Sequence, residues 1–285
     1  MQPAQLRGAI DLHVHAAPDA RPRKATMLEV ARAAADVGMR AVVFKNHHQP
    51  TAGHAQLINQ ALGREIAYGG VVLNRYVGGL NPAAIEAAAA LGGRIVWMPT
   101  FDSAHHRRFH GEPLDGALGV LDAAGRLTLA AQDVLEAIAA HGLVLATGHL
   151  SPEETRVLVP EARRRGVRAV VVTHPEAGFV AVPVALQLEL ATLDMVFFER
   201  CANSSAGRAG EPTPPEQLDR IVAGIRAVGV ETTVLATDYG QPANAFPVDG
   251  LRGYYEALLA RGITAAELER MSRLNPATVL GLTTA

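Results

Sequence analysis

The sequence predicts an α/β protein in which eight parallel strands and their connecting helices close into one (β/α)₈ barrel of the TIM type. Three observations carry that expectation. Short apolar, β-branched runs alternate with longer helical patterns along the whole chain, as βα units around a parallel sheet do. Eight such runs can be counted. No proline- or serine-rich linker and no shift in composition divides the 285 residues, a length that suits a single barrel domain over 1–285. A doubly wound open sheet is the alternative, but it would leave fewer strands in parallel register.

The first run is Gly8 to His15. A helix follows from Thr26, where Thr26 and Glu29 form a capping box, and Gly38 ends it. Ala41-Val42-Val43-Phe44 is the second strand and runs into Lys45-Asn46-His47-His48. A helix near His54 to Leu62 leads to the third strand, Gly70-Val71-Val72-Leu73. Asn81-Pro82 then caps an alanine-rich helix that stops at Gly92-Gly93. The fourth strand, Arg94 to Met98, is followed by a long polar loop to about Gly125 that holds Asp102, His105, His106 and His110. A connection of that length carries function or moves.

The Ala131–His141 helix ends at Gly142, and the fifth strand, Leu143 to Thr147, ends at His149. Ser151 and Glu154 form another capping box, on a helix that ends at Gly166. The sixth strand, Ala169 to Thr173, ends at His174. A helix near Val184–Leu193 leads to the seventh, Met195 to Phe198, followed by Glu199, Arg200 and Cys201. Pro214-Pro215-Glu216 opens a helix that closes at Gly229, the eighth strand, Thr233 to Thr237, ends at Asp238, and two helical segments finish the chain.

Composition narrows the function classes. Apolar residues make up 49% and charged residues 19%, enough for a core and without a disorder signature. A net charge of −2 and no long basic run argue against nucleic acid or a membrane surface as partner. No apolar run reaches the ~18–20 residues of a membrane span. One cysteine, Cys201, excludes an intramolecular disulfide, and the short polar Met1–Arg7 lacks the apolar region of a signal peptide, so a cytoplasmic protein is expected. Neither a Gly-x-Gly-x-x-Gly after the first strand nor a Walker-type Gly-Lys-Ser/Thr is present, so a nucleotide-binding reading has no anchor.

The chemistry gathers at strand ends. In Asp11-Leu12-His13-Val14-His15, alternation along a strand puts His13 and His15 on one face, with Asp11 behind them as an orienting partner or outer ligand. A lone His-x-His says little. His149, His174 and Asp238 each also follow an apolar run, and a barrel carries its active site at the C-terminal ends of its strands. All five side chains can therefore point into one mouth and bind a divalent metal.

These residues resemble the amidohydrolase superfamily of metal-dependent hydrolases: Asp11-Leu12-His13-Val14-His15, Gly148-His149, Thr173-His174-Pro175, Ala236-Thr237-Asp238 and the closing Asn275-Pro276-Ala277-Thr278-Val279-Leu280-Gly281-Leu282. His-x-His-x-x-Pro and Thr-Asp-Tyr also look like the decarboxylase branch of that superfamily. The polymerase-and-histidinol-phosphatase group shares the opening motif but usually ends in Asp-x-His, where this chain has Asp238-Tyr239-Gly240.

The resemblance implies that His13 and His15 hold the more buried metal with Asp238. His149 and His174 would hold a second ion if there is one, or help to bind substrate and water. Asp238 would take a proton from the activated water and pass it to the leaving group. A divalent ion lowers the pKa of water from about 15.7 toward ~7 and polarises a carbonyl or phosphoryl oxygen, which suits that scheme. Nitrogen and carboxylate donors suit zinc, and manganese and iron(II) use the same set.

One departure stands out. The family usually bridges two metals with a carboxylated lysine or a glutamate at the end of the fourth strand, where this chain has Met98-Pro99-Thr100. Lys45, ending the second strand, could bridge as a carbamate or bind a substrate carboxylate as an ammonium. His47, His48, Arg200 and Tyr239 are further candidates for substrate binding, Arg200 as a bidentate clamp on a carboxylate or phosphate. Arg21, Arg23 and Lys24 read as a solvated loop that could attract an anion, and His105, His106 and His110 as surface histidines. Cys201 has no evident base partner and is not expected to be a nucleophile.

The expected activity is hydrolysis of an amide, cyclic amide or ester of a small molecule with one or two divalent ions, Asp238 and His174 at the chemical step, and Arg200 beside them. A mononuclear decarboxylase and a phosphoesterase are the alternatives. A homo-oligomer is compatible with the sequence, though no helix face is apolar beyond the needs of the core.

Overall fold

The computed structural model describes residues 6–203 and 213–282; the first five residues of the polar N-terminus lie outside them. Eight parallel strands succeed one another around the sheet: β1 (Ile10–Val14), β2 (Ala41–Phe44), β3 (Ala67–Tyr68 and Gly70–Val72), β4 (Ile95–Trp97), β5 (Val144–Ala146), β6 (Ala169–Thr173), β7 (Val196–Cys201) and β8 (Thr233–Ala236). The first half of β3 pairs with β2 and the second with β4, so one strand joins its two neighbours.

Thr51 causes the break in β3. Its hydroxyl donates to the Phe44 carbonyl (2.6 Å) and accepts from the Gly70 N–H (2.9 Å). A Cβ at Gly69 would stand 2.5 Å from the Thr51 backbone, so only glycine passes this wedge. At the other edge, the Asp238 N–H donates to the His13 carbonyl and the His15 N–H to the Tyr239 carbonyl, both at 2.8 Å. The chain following β8 is thereby stitched to β1, and the barrel expectation holds.

Strand alternation separates two apolar layers. Ile10, Leu12, Ala41, Val43, Trp97, Val144, Val171, Phe197 and Val234 fill the interior. Val14, Val42, Phe44, Leu235 and, on the far side, Val96, Leu145, Val170 and Phe198 pack outward against the helices. The helices begin and end where expected to within a few residues. Met27–Asp36 and Pro152–Arg164 carry the two capping boxes, Thr26/Glu29 and Ser151/Glu154. Among the described residues no helix is long and apolar enough to cross a membrane.

Two local features depart from the sequence reading. The segment after β4 is not all loop: Ala104–Phe109 form a short helix, capped by the Ser103 hydroxyl and fixed by an Arg107–Asp102 ion pair. And β1 is not evenly alternating. Its register against β2 slips between Asp11 and Val14, a bulge of one residue. Leu12 thus stays in the interior and Val14 outside, while both His13 and His15 reach the mouth.

Candidate metal and active site

The C-terminal ends of the strands open into a cavity of about 610 Å³. His15, Lys45, His47, His149, His174 and Asp238 line it, and His13 lies buried beneath. Lys45 keeps the inward phase of Ala41 and Val43. His149 follows Gly148, whose backbone is left-handed (φ +60°) and where a Cβ would meet the Met98 carbonyl at 2.3 Å. His174 and Asp238 are themselves left-handed, at φ +50° and +53°. Non-glycine residues held there cost of order 1–3 kcal/mol each, a strain that clusters at functional sites.

Among the described residues two groups stand close enough to hold a cation: His13, His15 and Asp238, and, deeper, His13, His174, Glu199 and Cys201. Asp238 Oδ1 lies 3.0 Å from His15 Nε2 and 3.1 Å from His13 Nε2. His13 Nε2 is buried and has no hydrogen-bond partner beyond that ion-pair contact with Asp238. The other ring nitrogen, Nδ1, is 3.0 Å from Glu199 Oε2. Asn203 Nδ2 donates to Asp238 Oδ2 at 3.0 Å. An imidazole fixed at Nδ1 by a carboxylate, with Nε2 aimed at a second carboxylate and a second imidazole, is the geometry of a metal ligand oriented by its neighbour. The residues fit a divalent cation.

The electrostatics divide the ligands: burial and Lys45 would lower His13, but the Asp238 and Glu199 carboxylates raise it, whereas His15 and His174 are lowered. Burial first, then Arg23 and His13, pushes His15 down to about 3, and burial likewise brings His174 to about 4. Both are neutral near pH 7, as ligands must be. Burial would raise the Asp238 carboxyl, but the His13 and His15 rings beside it hold it well below the usual carboxylate range. Glu199 is lowered by His13 against the same opposing burial. Burial lowers Lys45, whose Nζ is enclosed and unpartnered, 5.7 Å above the Trp97 ring. A buried, unpaired amine at the mouth is a group awaiting a partner.

His47 lines the cavity, stacked at 4.8 Å on His15, its Nδ1 2.8 Å from the Thr100 hydroxyl. His48 turns away: its Nδ1 lies 3.0 Å from Asp19 Oδ1 and its ring packs on Tyr76. Tyr239 is also misplaced as a substrate contact. Its ring sits in the outer layer against Gly250, where a Cβ would come within 2.2 Å of it.

Arg200 is the largest correction. Alternation from the inward Phe197 brings Glu199 and Cys201 inside and Arg200 outside. Its guanidinium pairs with Glu176, donates to Gln187 Oε1 at 3.1 Å, and occupies the space left by Gly224. Arg200 is fully buried in a structural ion pair with the mostly buried Glu176, and is not a substrate clamp. Arg200→Met is therefore expected to cost about 3–5 kcal/mol by leaving Glu176 unpaired, with KM of the folded protein unchanged; thermal unfolding alongside kinetics checks both.

Asp11, expected to orient an imidazole, instead accepts from the Thr237 hydroxyl (2.6 Å) and the His13 backbone N–H (3.1 Å). Burial raises it to about 6. Glu199 has the orienting role. His106 is buried, not a surface histidine: it sits on the short helix with its Nδ1 3.0 Å from His149 Nδ1. Cys201 Sγ is 3.9 Å from His13 Nδ1, but burial pushes its thiol well up, so a thiolate nucleophile is not available. Phe101 and Phe179 wall the mouth, each 5.3 Å from the His106 ring.

Solved structures of the same architecture surround this chain. A protein provisionally named 2-pyrone-4,6-dicarboxylic acid hydrolase from Pseudomonas putida superposes with a TM-score of 0.63 at 18% identity, over 99% of this chain and 100% of that one. Organophosphorus hydrolase from Deinococcus radiodurans gives 0.59 at 17%, over 98% and 93%, and a dihydroorotase 0.60 at 15%, over 97% and 70%. These neighbours are hydrolytic enzymes of the amidohydrolase superfamily, and the likeness shows that this chain has their barrel fold. The chain belongs to a family of unknown function, DUF6282, whose model matches residues 8–199. No curated protein matches its sequence.

Proposed function

We propose that this protein is a metal-dependent hydrolase that cleaves an amide, cyclic amide or ester of a small molecule in the barrel mouth. The observation that carries the reading is the convergence of two buried imidazole nitrogens on one carboxylate oxygen, His13 Nε2 at 3.1 Å and His15 Nε2 at 3.0 Å from Asp238 Oδ1. His13, His15 and Asp238 would hold one divalent ion, and their nitrogen and carboxylate donors suit zinc. Lys45, His149 and His174 stand beside them as donors for a second ion or for the substrate. When bound, a divalent ion supplies Lewis-acid polarisation of a carbonyl oxygen and acidifies water at neutral pH.

The chain's own groups do the rest. Asp238 stays ionised and can take a proton from the attacking water and return it to the leaving group. Asn203 holds its second oxygen and so fixes the direction in which it accepts. Neutral His174, 3.9 Å from Asp238 Oδ2, can share a proton or steady the substrate oxygen. Phe101 and Phe179 keep bulk water from the walls. The neighbours named as a 2-pyrone-4,6-dicarboxylic acid hydrolase, an organophosphorus hydrolase and a dihydroorotase support the class.

A panel of lactones, cyclic amides and esters, assayed with zinc or manganese and again after chelation, tests the proposal. Turnover that chelation abolishes and metal restores is expected. Carbon dioxide release without a hydrolytic product would instead favour a decarboxylase, and no turnover on any of the three classes would contradict the reading.

A further inference from the structure

Besides the enclosed Lys45, the cavity wall carries one cation that no carboxylate of the described residues pairs with. Arg21, Arg23 and Lys45 all line the mouth. Arg23 is spent: its Nε donates to Asp19 Oδ2 at 2.7 Å, its Nη2 lies as close, and its side chain is 4% exposed. Asp19 is thereby filled, since its Oδ1 also serves the Arg21 backbone N–H (3.1 Å) and His48 (3.0 Å). Lys45 shares the floor with Asp238 and Glu199.

The Arg21 side chain is different. It is exposed at the rim, its guanidinium lies 4.1 Å over the centre of the Phe101 ring, and no carboxylate of the described residues comes within ion-pair distance of it. A guanidinium seated over an aromatic ring can still offer N–H groups to a carboxylate, whose two oxygens match its fork. Stacking also limits the rotamer freedom that must be lost on binding. The Phe101 ring is itself locked against His47 at 3.9 Å, which stacks on His15. Arg21 is thus tied through two rings to a metal-ligating histidine, on one wall of one cavity. Among the described residues the acids on the lining are Asp238, held by His13, His15 and Asn203, and the exposed Glu112.

We propose that the substrate is a small carboxylate-bearing ester, lactone or amide, whose carboxylate is bound by Arg21 over Phe101 while its scissile carbonyl lies at the His13, His15 and Asp238 group. The identity of the reaction rests on the hydrolase reading; the carboxylate site does not.

Binding and turnover separate the two. Glutarate and its uncharged analogue glutaramide are titrated calorimetrically into zinc-loaded wild type, Arg21→Ala and Arg21→Lys. Glutarate should bind wild type at least about tenfold more tightly than glutaramide does, a ratio typical of one charge-assisted contact. Arg21→Ala should lose that preference, and Arg21→Lys, a point charge without the fork, should keep part of it. Equal glutarate binding by wild type and Arg21→Ala would mean that the metal alone holds the carboxylate, and that result, or no glutarate binding, overturns the proposal.

The mono-4-nitrophenyl ester of glutaric acid is then compared with 4-nitrophenyl butyrate. Preference for the charged ester, lost in Arg21→Ala through KM, is the result expected. Glutarate binding through Arg21 with no turnover of either ester or of the lactone and amide panel would remove the hydrolase reading and leave the anion site. Turnover of the neutral ester without Arg21-dependent glutarate binding would do the reverse.

Discussion

Asp238→Asn is expected to lower hydrolytic turnover by about 10²- to 10⁴-fold, the range that a positioned general base contributes. Asp238 is the point at which the site converges: one oxygen faces both His13 Nε2 and His15 Nε2, the other accepts from Asn203. Asparagine keeps the shape but cannot take a proton, and it removes the negative charge that makes the pair of imidazoles a cation site. Metal affinity should fall with turnover. The fold should survive, because the backbone N–H of residue 238, which donates to the His13 carbonyl, is untouched. Steady-state kinetics and thermal unfolding on the same preparations check the two halves. Turnover within threefold of wild type would remove Asp238 from the chemistry.

Glu199→Gln is expected to weaken divalent-metal binding by about 10- to 100-fold, the usual cost of losing a group that orients a ligand. Glu199 never touches the cavity. It lies under it, fully buried, with Oε2 3.0 Å from His13 Nδ1. Its charge raises the basicity of the imidazole and holds Nε2 toward Asp238; a neutral amide supplies a hydrogen bond without the field. Competition with a chromogenic chelator reads the affinity directly. An unchanged affinity would show that His13 is oriented by packing alone.

Much of the barrel was legible because its strands are short β-branched runs bounded by glycine and capping residues, signals that depend on neighbours in sequence. The five ligand-type residues at strand ends were legible for the same reason. What escaped depended on phase and on distance. Phe197 and Phe198 are both apolar, so the β7 run does not say which face turns inward: the reading that sends Arg200 to the mouth has the phase reversed, and Glu199 is the residue that turns in, beneath the cavity. The bulge in β1 leaves no mark in Asp11-Leu12-His13-Val14-His15, so strict alternation put Asp11 behind the histidines when it serves Thr237 instead. His106 and Phe179 approach His149 from segments 43 residues before and 30 after it. His106 lies on a six-residue helix too short to show a period, and no local pattern marks Phe179. Tyr239 and His48 each follow a site residue in sequence, but the backbone is left-handed at Asp238 and bent at His47–His48, so adjacency does not carry them into the cavity.

The central claim is that the mouth holds a divalent metal on His13, His15 and Asp238, and metal content per chain tests it most directly. Elemental analysis would be run on wild type, Lys45→Ala and Asp238→Ala, each purified without added metal and again after reconstitution with zinc. At least one ion per wild-type chain, lost in Asp238→Ala, is the result expected. A second ion that disappears in Lys45→Ala would make Lys45 its ligand, whereas one ion retained in that variant would make Lys45 a contact for substrate. No metal in any of the three proteins, even after reconstitution, would contradict the claim.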